Sequence, residues 1–175
     1  MTIDSTDESL MAAVREGEYS DLQILFERHH RTLYEFFYRM TGDRAVSEDL
    51  VQDVFSRILQ YRDTFRDDSR FNSWLYRMAR NVHHKIKKED YELSRPVTTS
   101  AAAATPGSRT EALRSALLNL PEDRRELVVL SQYLQLTPDE IAGVLDVDVP
   151  AARVRVHRAL MELRDVYRTL QELSV

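Results

Sequence analysis

The apolar residues of this chain recur every three or four positions almost from end to end, and one segment, residues 94–110 (SRPVTTSAAAATPGSRT), breaks that rhythm completely. Three-to-four spacing marks helices that bury one face. The break combines two prolines, a glycine, small residues and hydroxyls, a composition that buries too little surface to fold and reads as a flexible linker. Its run Ala101–Ala104 is too short to hold a helix alone. The fold class expected is therefore all-α: two small helical domains, residues 1–92 and 110–175, joined by a linker over 93–109. Hydrophobic residues at 43% can fill two small cores, and 30% charged residues with only four Gly suit long solvated helices.

In the first domain, Ser20 and Gln23 have capping-box spacing. Leu22, Leu25, Phe26, His29, Leu33, Phe36, Phe37 and Met40 follow on one stripe, and Gly42 is the stop. A second helix is expected from about Ser47, with Glu48 and Asp49 in its first turn and Leu50, Val51, Val54, Phe55, Ile58 and Leu59 inward. After the polar stretch RDTFRDDSR, a third begins near Phe71, burying Trp74, Leu75, Met78, Val82 and Ile86. The second domain opens with a helix over 110–120 that Pro121 ends, and another follows over 122–133. Thr137 and Glu140 then form a capping box with Pro138 between them. A short helix carries Ile141, Ala142, Val144 and Leu145; after residues 146–148, a new helix turns Val149, Ala152, Val156, Leu160 and Leu163 inward. The pattern is helix, tight turn, helix, with small Ala142 permitting close approach and Asp148 placed to cap.

The net charge of −5 is unusual for a nucleic-acid binder, but its distribution is uneven. YRMARNVHHKIKK holds Arg77, Arg80, Lys85, Lys87 and Lys88 without an acid, and Arg153, Arg155, Arg158 and Arg164 face only Glu162. With no cysteine there is no disulfide framework, thiolate metal site or cysteine nucleophile, which fits a cytoplasmic location. The acidic MTIDSTDESL start lacks a signal peptide's apolar run, and no stretch approaches the ~18 apolar residues of a membrane span, so no membrane insertion is expected. No nucleophile elbow or phosphate-binding glycine loop is present, and neither enzyme activity nor a cofactor is expected. Neighbouring histidines at 29–30 and 83–84 diverge by roughly 100° on a helix, which argues against a metal.

Two faces remain for chemistry. The last helix presents Pro150, Ala151, Arg153, Val154, Arg155, His157 and Arg158 outward. In a major groove, arginines can grip guanine or phosphate, and Ala or Val can touch thymine methyls. A helical hairpin with a charged outer face is the competing reading. On the earlier helix, Trp74, Tyr76, Arg77, Arg80, Asn81 and Lys85 interleave rings, cations and amides as suits unpaired DNA. There Trp74 itself reads as core, and the cations read equally well as a solvated face.

Taken in order, SEDLVQDVFSRIL, FRDDSRFNSWLYRMARN, LPEDRRELVVL and TPDEIAGVLDVDVPAARVRVHRALMELR resemble the extracytoplasmic-function (ECF) sigma factors. The resemblance implies a first domain, region two, whose Glu48–Phe55 helix docks on the β′ clamp helices of core RNA polymerase through Asp49, Gln52, Asp53 and Phe55. It implies that Arg66, Asp68, Ser69, Phe71, Tyr76, Arg77, Arg80, Asn81 and Lys85 recognise and melt the promoter −10 element. The second domain, region four, would read the −35 element with Arg153, Val154, Arg155, His157 and Arg158 and meet the β flap. Promoter DNA, core polymerase and an anti-sigma factor, often at the membrane, are the implied partners.

Departures from the family pattern fall on the helix-turn-helix. Asp146 stands where glycine is common at the turn and Asp148 where serine is. Pro150, Ala151 and Val154 replace Gly, Thr and Ser types, removing hydroxyl donors. The −35 sequence is therefore expected to differ from the usual motif or to be read through shape and methyl contacts. Two other functions compete: a helix-turn-helix repressor, for which the first domain shows no ligand or phosphoacceptor site, and an adaptor that binds polymerase or an anti-sigma factor without reading DNA.

Overall fold

The computed structural model describes residues 5–93 and 109–173, the side chains of 87–93 excepted. Those residues form eight α-helices and no strand: α1 (Asp7–Glu16), α2 (Ser20–Thr41), α3 (Arg44–Gln60) and α4 (Phe71–Leu93), then α5 (Arg109–Asn119), α6 (Glu122–Val128), α7 (Pro138–Leu145) and α8 (Val149–Glu172). The all-α, two-domain expectation holds. Residues 94–108 of the expected linker lie outside the described residues.

Helix α1, which the sequence reading did not single out, is capped by the Thr6 side chain and stopped by left-handed Gly17. Its Leu10, Met11 and Val14 join Leu25, Leu33, Phe36 and Phe37 of α2, Leu50, Val54 and Ile58 of α3, and Leu75 and Ala79 of α4 in one core. Two expected helix starts move. Ser20 is the first residue of α2, not its cap, and Tyr19 precedes it without a side-chain bond. Helix α3 begins at Arg44 because Asp43 accepts from the Val46 N–H. Glu48 and Asp49 consequently lie beyond the first turn, and Ser47 is buried with its hydroxyl 3.2 Å from that of Thr41.

Local signals in the second domain hold closely. Pro121 precedes α6, which runs into a π-helical turn over Val129–Tyr133. Thr137 and Glu140 form the full capping box, and the Asp148 carboxylate accepts from the Ala151 N–H at 2.7 Å. Asp146 takes the left-handed conformation itself (φ 55°), which a short polar side chain tolerates better than most, so the turn closes without glycine.

The two domains are packed together. Arg125 on α6 donates to the Met40 carbonyl at the end of α2, and Arg39 lies 4.0 Å over the Tyr133 ring. Helix α7 lies against α4 so closely that a Cβ on Gly143 would fall 2.9 Å from that of Ser73.

Candidate nucleic-acid interface

The loop before α4 is held from below. Arg15 of α1 donates to the Phe65 carbonyl at 3.0 Å and to Asp67 at 2.8 Å, and the Glu8 carboxylate accepts from the Phe71 N–H at 2.9 Å. The rings of Phe65, Phe71 and Trp74 pack on one another, and the Trp74 indole N–H reaches the Thr64 hydroxyl, so Trp74 is a packing residue as expected. Arg66 and Asp68 pair with each other on the open surface, with Ser69 half-buried beside them.

Two residues assigned to the −10 set stand behind the surface. Phe71 is 1% and Tyr76 3% exposed, both in the core. Burial pushes the Tyr76 hydroxyl up to about 12, against a hydrogen bond with Thr32 and with help from the nearby Glu140 charge. Their part in this site is support, because a ring packed on all sides has no face left for a base.

Two cations of α4 have partners in the second domain. Arg77 donates from Nε to the Gly143 carbonyl at 3.1 Å, and Arg80 from Nε to the Glu126 carboxylate at 3.0 Å. Two residues that sequence reasoning missed join them: the Asn72 amide donates to Glu140 Oε1 at 3.0 Å, and the Ser73 hydroxyl to the Glu140 carbonyl at 3.1 Å. The Glu140 carboxyl sits below its ordinary range. Burial raises it, but hydrogen bonds from Thr137 and Asn72 outweigh burial, with the Arg70 charge assisting. Burial raises Glu126, and the Arg80 ion pair opposes that rise. Asn81 and Lys85, further along α4, are exposed. In the first half of this face Asn72 and Ser73 are covered by α7, while Arg77 stays exposed and Arg80 half-exposed as they bond α7 and α6.

The opposite holds for α8. Arg153, Val154, Arg155, His157 and Arg158 are all exposed, while Ala152 and Ala159 on the other side are buried. Within the described residues none of the five side chains makes a hydrogen bond or ion pair. A capped helix with three unpaired arginines on one outward face is equipped to meet phosphates and base edges.

On α3, Asp49 and Gln52 are exposed and Asp53 pairs with Arg57 at 3.3 Å. Phe55 is 8% exposed and meets Phe26 edge to face at 4.8 Å. Phe26 also lines a shallow groove of about 450 Å³, together with Tyr34, Glu48, Val51 and Gln52. The histidine pair on α2 diverges: His29 bonds Asp7 at 2.7 Å, while His30 stacks on Phe26.

Residues 25–89 match the family described as Sigma-70 region 2, and residues 110–163 match Sigma-70, region 4. The RNA polymerase sigma factor CarQ of Myxococcus xanthus is 32% identical over 92% of this chain and 97% of its own. The chain belongs to the ECF sigma factor family. ECF sigma factor SigW of Bacillus subtilis is 26% identical over 90% of this chain and 94% of its own. Among solved structures, CnrH in complex with the cytosolic domain of CnrY superposes with a TM-score of 0.73 at 27% identity, covering 93% of this chain and 97% of that one. The sigma factor RpoE of Bartonella quintana, solved with the anti-sigma factor NepR, shares the fold at a TM-score of 0.68 and 22% identity, over 85% of this chain and 97% of that one. Sigma factors are transcription initiation factors without catalytic activity, so this chain is not an enzyme. No helix among the described residues is long and apolar enough to cross a membrane.

Proposed function

We propose that this sigma factor joins core RNA polymerase in the cytoplasm and directs it to promoters through two elements. Residues 1–92 would dock on the β′ clamp helices through Asp49, Gln52, Asp53 and Phe55, beside the groove lined by Phe26, Glu48 and Gln52, and would open the −10 element. Arg66, Asp68, Ser69, Arg77, Arg80, Asn81 and Lys85 supply the surface for that strand, with Phe71 and Tyr76 holding it from inside. Residues 110–175 would meet the β flap and read the −35 element with Arg153, Val154, Arg155, His157 and Arg158. Holding bases outside the duplex offsets part of the unpairing cost, a few kcal/mol for one flipped base.

The observation that carries this reading is the α8 face: five exposed residues, three of them arginines without a partner among the described residues, on a helix capped by Asp148. A structural adaptor has no use for an array of unpaired arginines on one face. The α4 face adds a condition, since Arg77 and Arg80 give their donors to α7 and α6 and would have to exchange those bonds for DNA, which parting of the domains would allow. Polymerase docking would supply that separation. An anti-sigma factor is proposed as the regulator, in keeping with CnrH bound to a cytosolic domain of another protein.

Reconstitution with core polymerase and genome-wide mapping of transcript starts tests the proposal. Directed starts are expected, lost in Asn81→Ala and reduced in a double Arg155→Ala, Arg158→Ala variant. Folded protein with active core and no directed start would sink it.

A further inference from the structure

Where α4 passes the start of α6, two histidines of the first domain meet a carboxylate of the second. His83 is 3% exposed, with Nδ1 3.1 Å from Glu122 Oε1, and the exposed His84 ring follows with its centroid 6.0 Å from that of His83. Ligand atoms of His83, His84 and Glu122 all lie within 4.8 Å of one another. Adjacent histidines on a helix diverge and seldom share an ion unaided, but Glu122 on the facing helix brings a third ligand atom within 4.8 Å of one on each histidine. Zinc ligands at about 2.0–2.1 Å in tetrahedral geometry are separated by roughly 3.4 Å. The His83–Glu122 pair is already near that spacing, and a rotation of the exposed His84 side chain closes the third edge.

The surroundings favour a cation. An open cleft of about 370 Å³ at this point is lined by Arg80, His84, Glu122, Asp123 and Glu126, with Arg80 paired to Glu126. Burial raises the Glu126 carboxyl, Arg80 opposes that rise, and the Glu122 and Asp123 charges add to it. The cleft gives an ion both an entry path and room for a water as fourth ligand. Two imidazoles and a carboxylate suit zinc-class ions, whereas calcium and magnesium prefer all-oxygen sites.

We propose that His83, His84 and Glu122 form a site for a divalent transition-metal ion of the zinc class, and that the ion ties the two domains together in the closed arrangement. Because the ligands come from both domains, only the closed form offers all three, so the ion shifts the population toward it. The regulatory consequence, slower engagement of promoter DNA, rests on the sigma reading above; the binding itself does not.

The test uses the full-length protein, which has no cysteine to bind metal or to interfere with labelling. Zinc chloride is titrated calorimetrically and cobalt chloride by its visible absorption, with wild type, His84→Ala and Glu122→Gln, after thermal unfolding shows each variant folded. One equivalent is expected to bind wild type, at least about ten-fold more tightly than either variant, the scale on which metal-site changes act. Zinc is also expected to raise energy transfer between dyes on the two domains of wild type and not of the variants. No binding, equal binding by wild type and both variants, or binding without a change in energy transfer would each overturn the proposal. Run-off transcription without added zinc separates the two readings. His84→Ala is expected to match wild type there, whereas a wild type that directs no transcript refutes the sigma reading and leaves the metal result standing.

Discussion

Replacing Gly143 by alanine separates the closed arrangement from the stability of either domain. An added Cβ would lie 2.8 Å from Ser73 Oγ and 2.9 Å from Ser73 Cβ. Non-bonded carbons rest at about 3.5–4.0 Å, so α7 must retreat from α4 by roughly 0.7–1 Å. Ser73 cannot step aside, since its Cβ is fixed to the α4 backbone and its hydroxyl is bonded to the Glu140 carbonyl. The retreat stretches that bond and the Asn72–Glu140 bond, now 3.1 and 3.0 Å, past useful length, and lengthens the Arg77 Nη2–Gly143 bond from 2.5 Å. Overpacking of this kind costs about 1–3 kcal/mol, which as a shift between closed and open forms is about 5–150-fold. Within α7 itself the change is favourable by up to ~1 kcal/mol, because alanine outranks glycine in a helix interior. With dyes on Glu18→Cys and Glu172→Cys, both exposed, energy transfer should fall in Gly143→Ala, and run-off transcription at limiting core polymerase should rise. Energy transfer identical to that of the parent protein, with normal thermal unfolding, would refute the reasoning: the α4–α7 contact would then not govern domain opening.

Three further outcomes follow from named contacts. Arg155→Ala and Arg158→Ala should each weaken binding to a −35 duplex. The loss is about 1–3 kcal/mol with relaxed specificity where the arginine grips a guanine, or a uniform loss with a salt slope shallower by about one where it holds a phosphate, as binding isotherms at several salt concentrations will show. Tyr76, pushed up to about 12 by burial, favours its protonated form in the fold. Its share of stability is therefore complete below the ordinary tyrosine value near 10 and lost as pH rises from there toward 12, about 3 kcal/mol in all; Tyr76→Phe should flatten that alkaline limb in denaturant melts. Charge reversal at Asp49, Asp49→Lys, should weaken binding to core polymerase without altering thermal unfolding, because its side chain is exposed on α3.

Much of the fold was legible because the signals that build it are short-ranged. The Thr137–Glu140 box, the Asp148 cap and the Gly42 stop each act within four residues, and all three are in place. The start of α3 was misjudged because both Asp43 and Ser47 can cap. Asp43 prevails by taking the Val46 N–H, while the Ser47 hydroxyl is drawn to Thr41 and the Asp43 carbonyl inside the turn. Helix α1 escaped notice because its value lies in distant contacts, Arg15 to Asp67 and Glu8 to the Phe71 N–H, which no local pattern announces.

The functional faces were legible as residue types but not as states of access. By sequence alone, α4 carries the more complete set of matched residues and α8 the more altered one, with Pro150, Ala151 and Val154 in place of polar types. In the folded chain the α8 side chains have no partner among the described residues, whereas Arg77 and Arg80 of α4, still at least partly exposed, are bonded to α7 and α6. The difference rests on two small residues seventy positions apart: Ser73 and Gly143 let α7 approach α4 until Arg77 finds a helix carbonyl in place of a phosphate. Small residues carry no hydrophobic period and no charge pattern, so their pairing becomes visible only once both helices are placed. The same contact gives the altered −35 face a physical sense. If the domains remain closed until polymerase is engaged, α8 is the part of the molecule free to sample duplex DNA first. On the proposed reading, weak methyl and phosphate contacts there would limit how long the factor dwells on DNA without polymerase, and the α4 surface would stay in reserve for the opened strand.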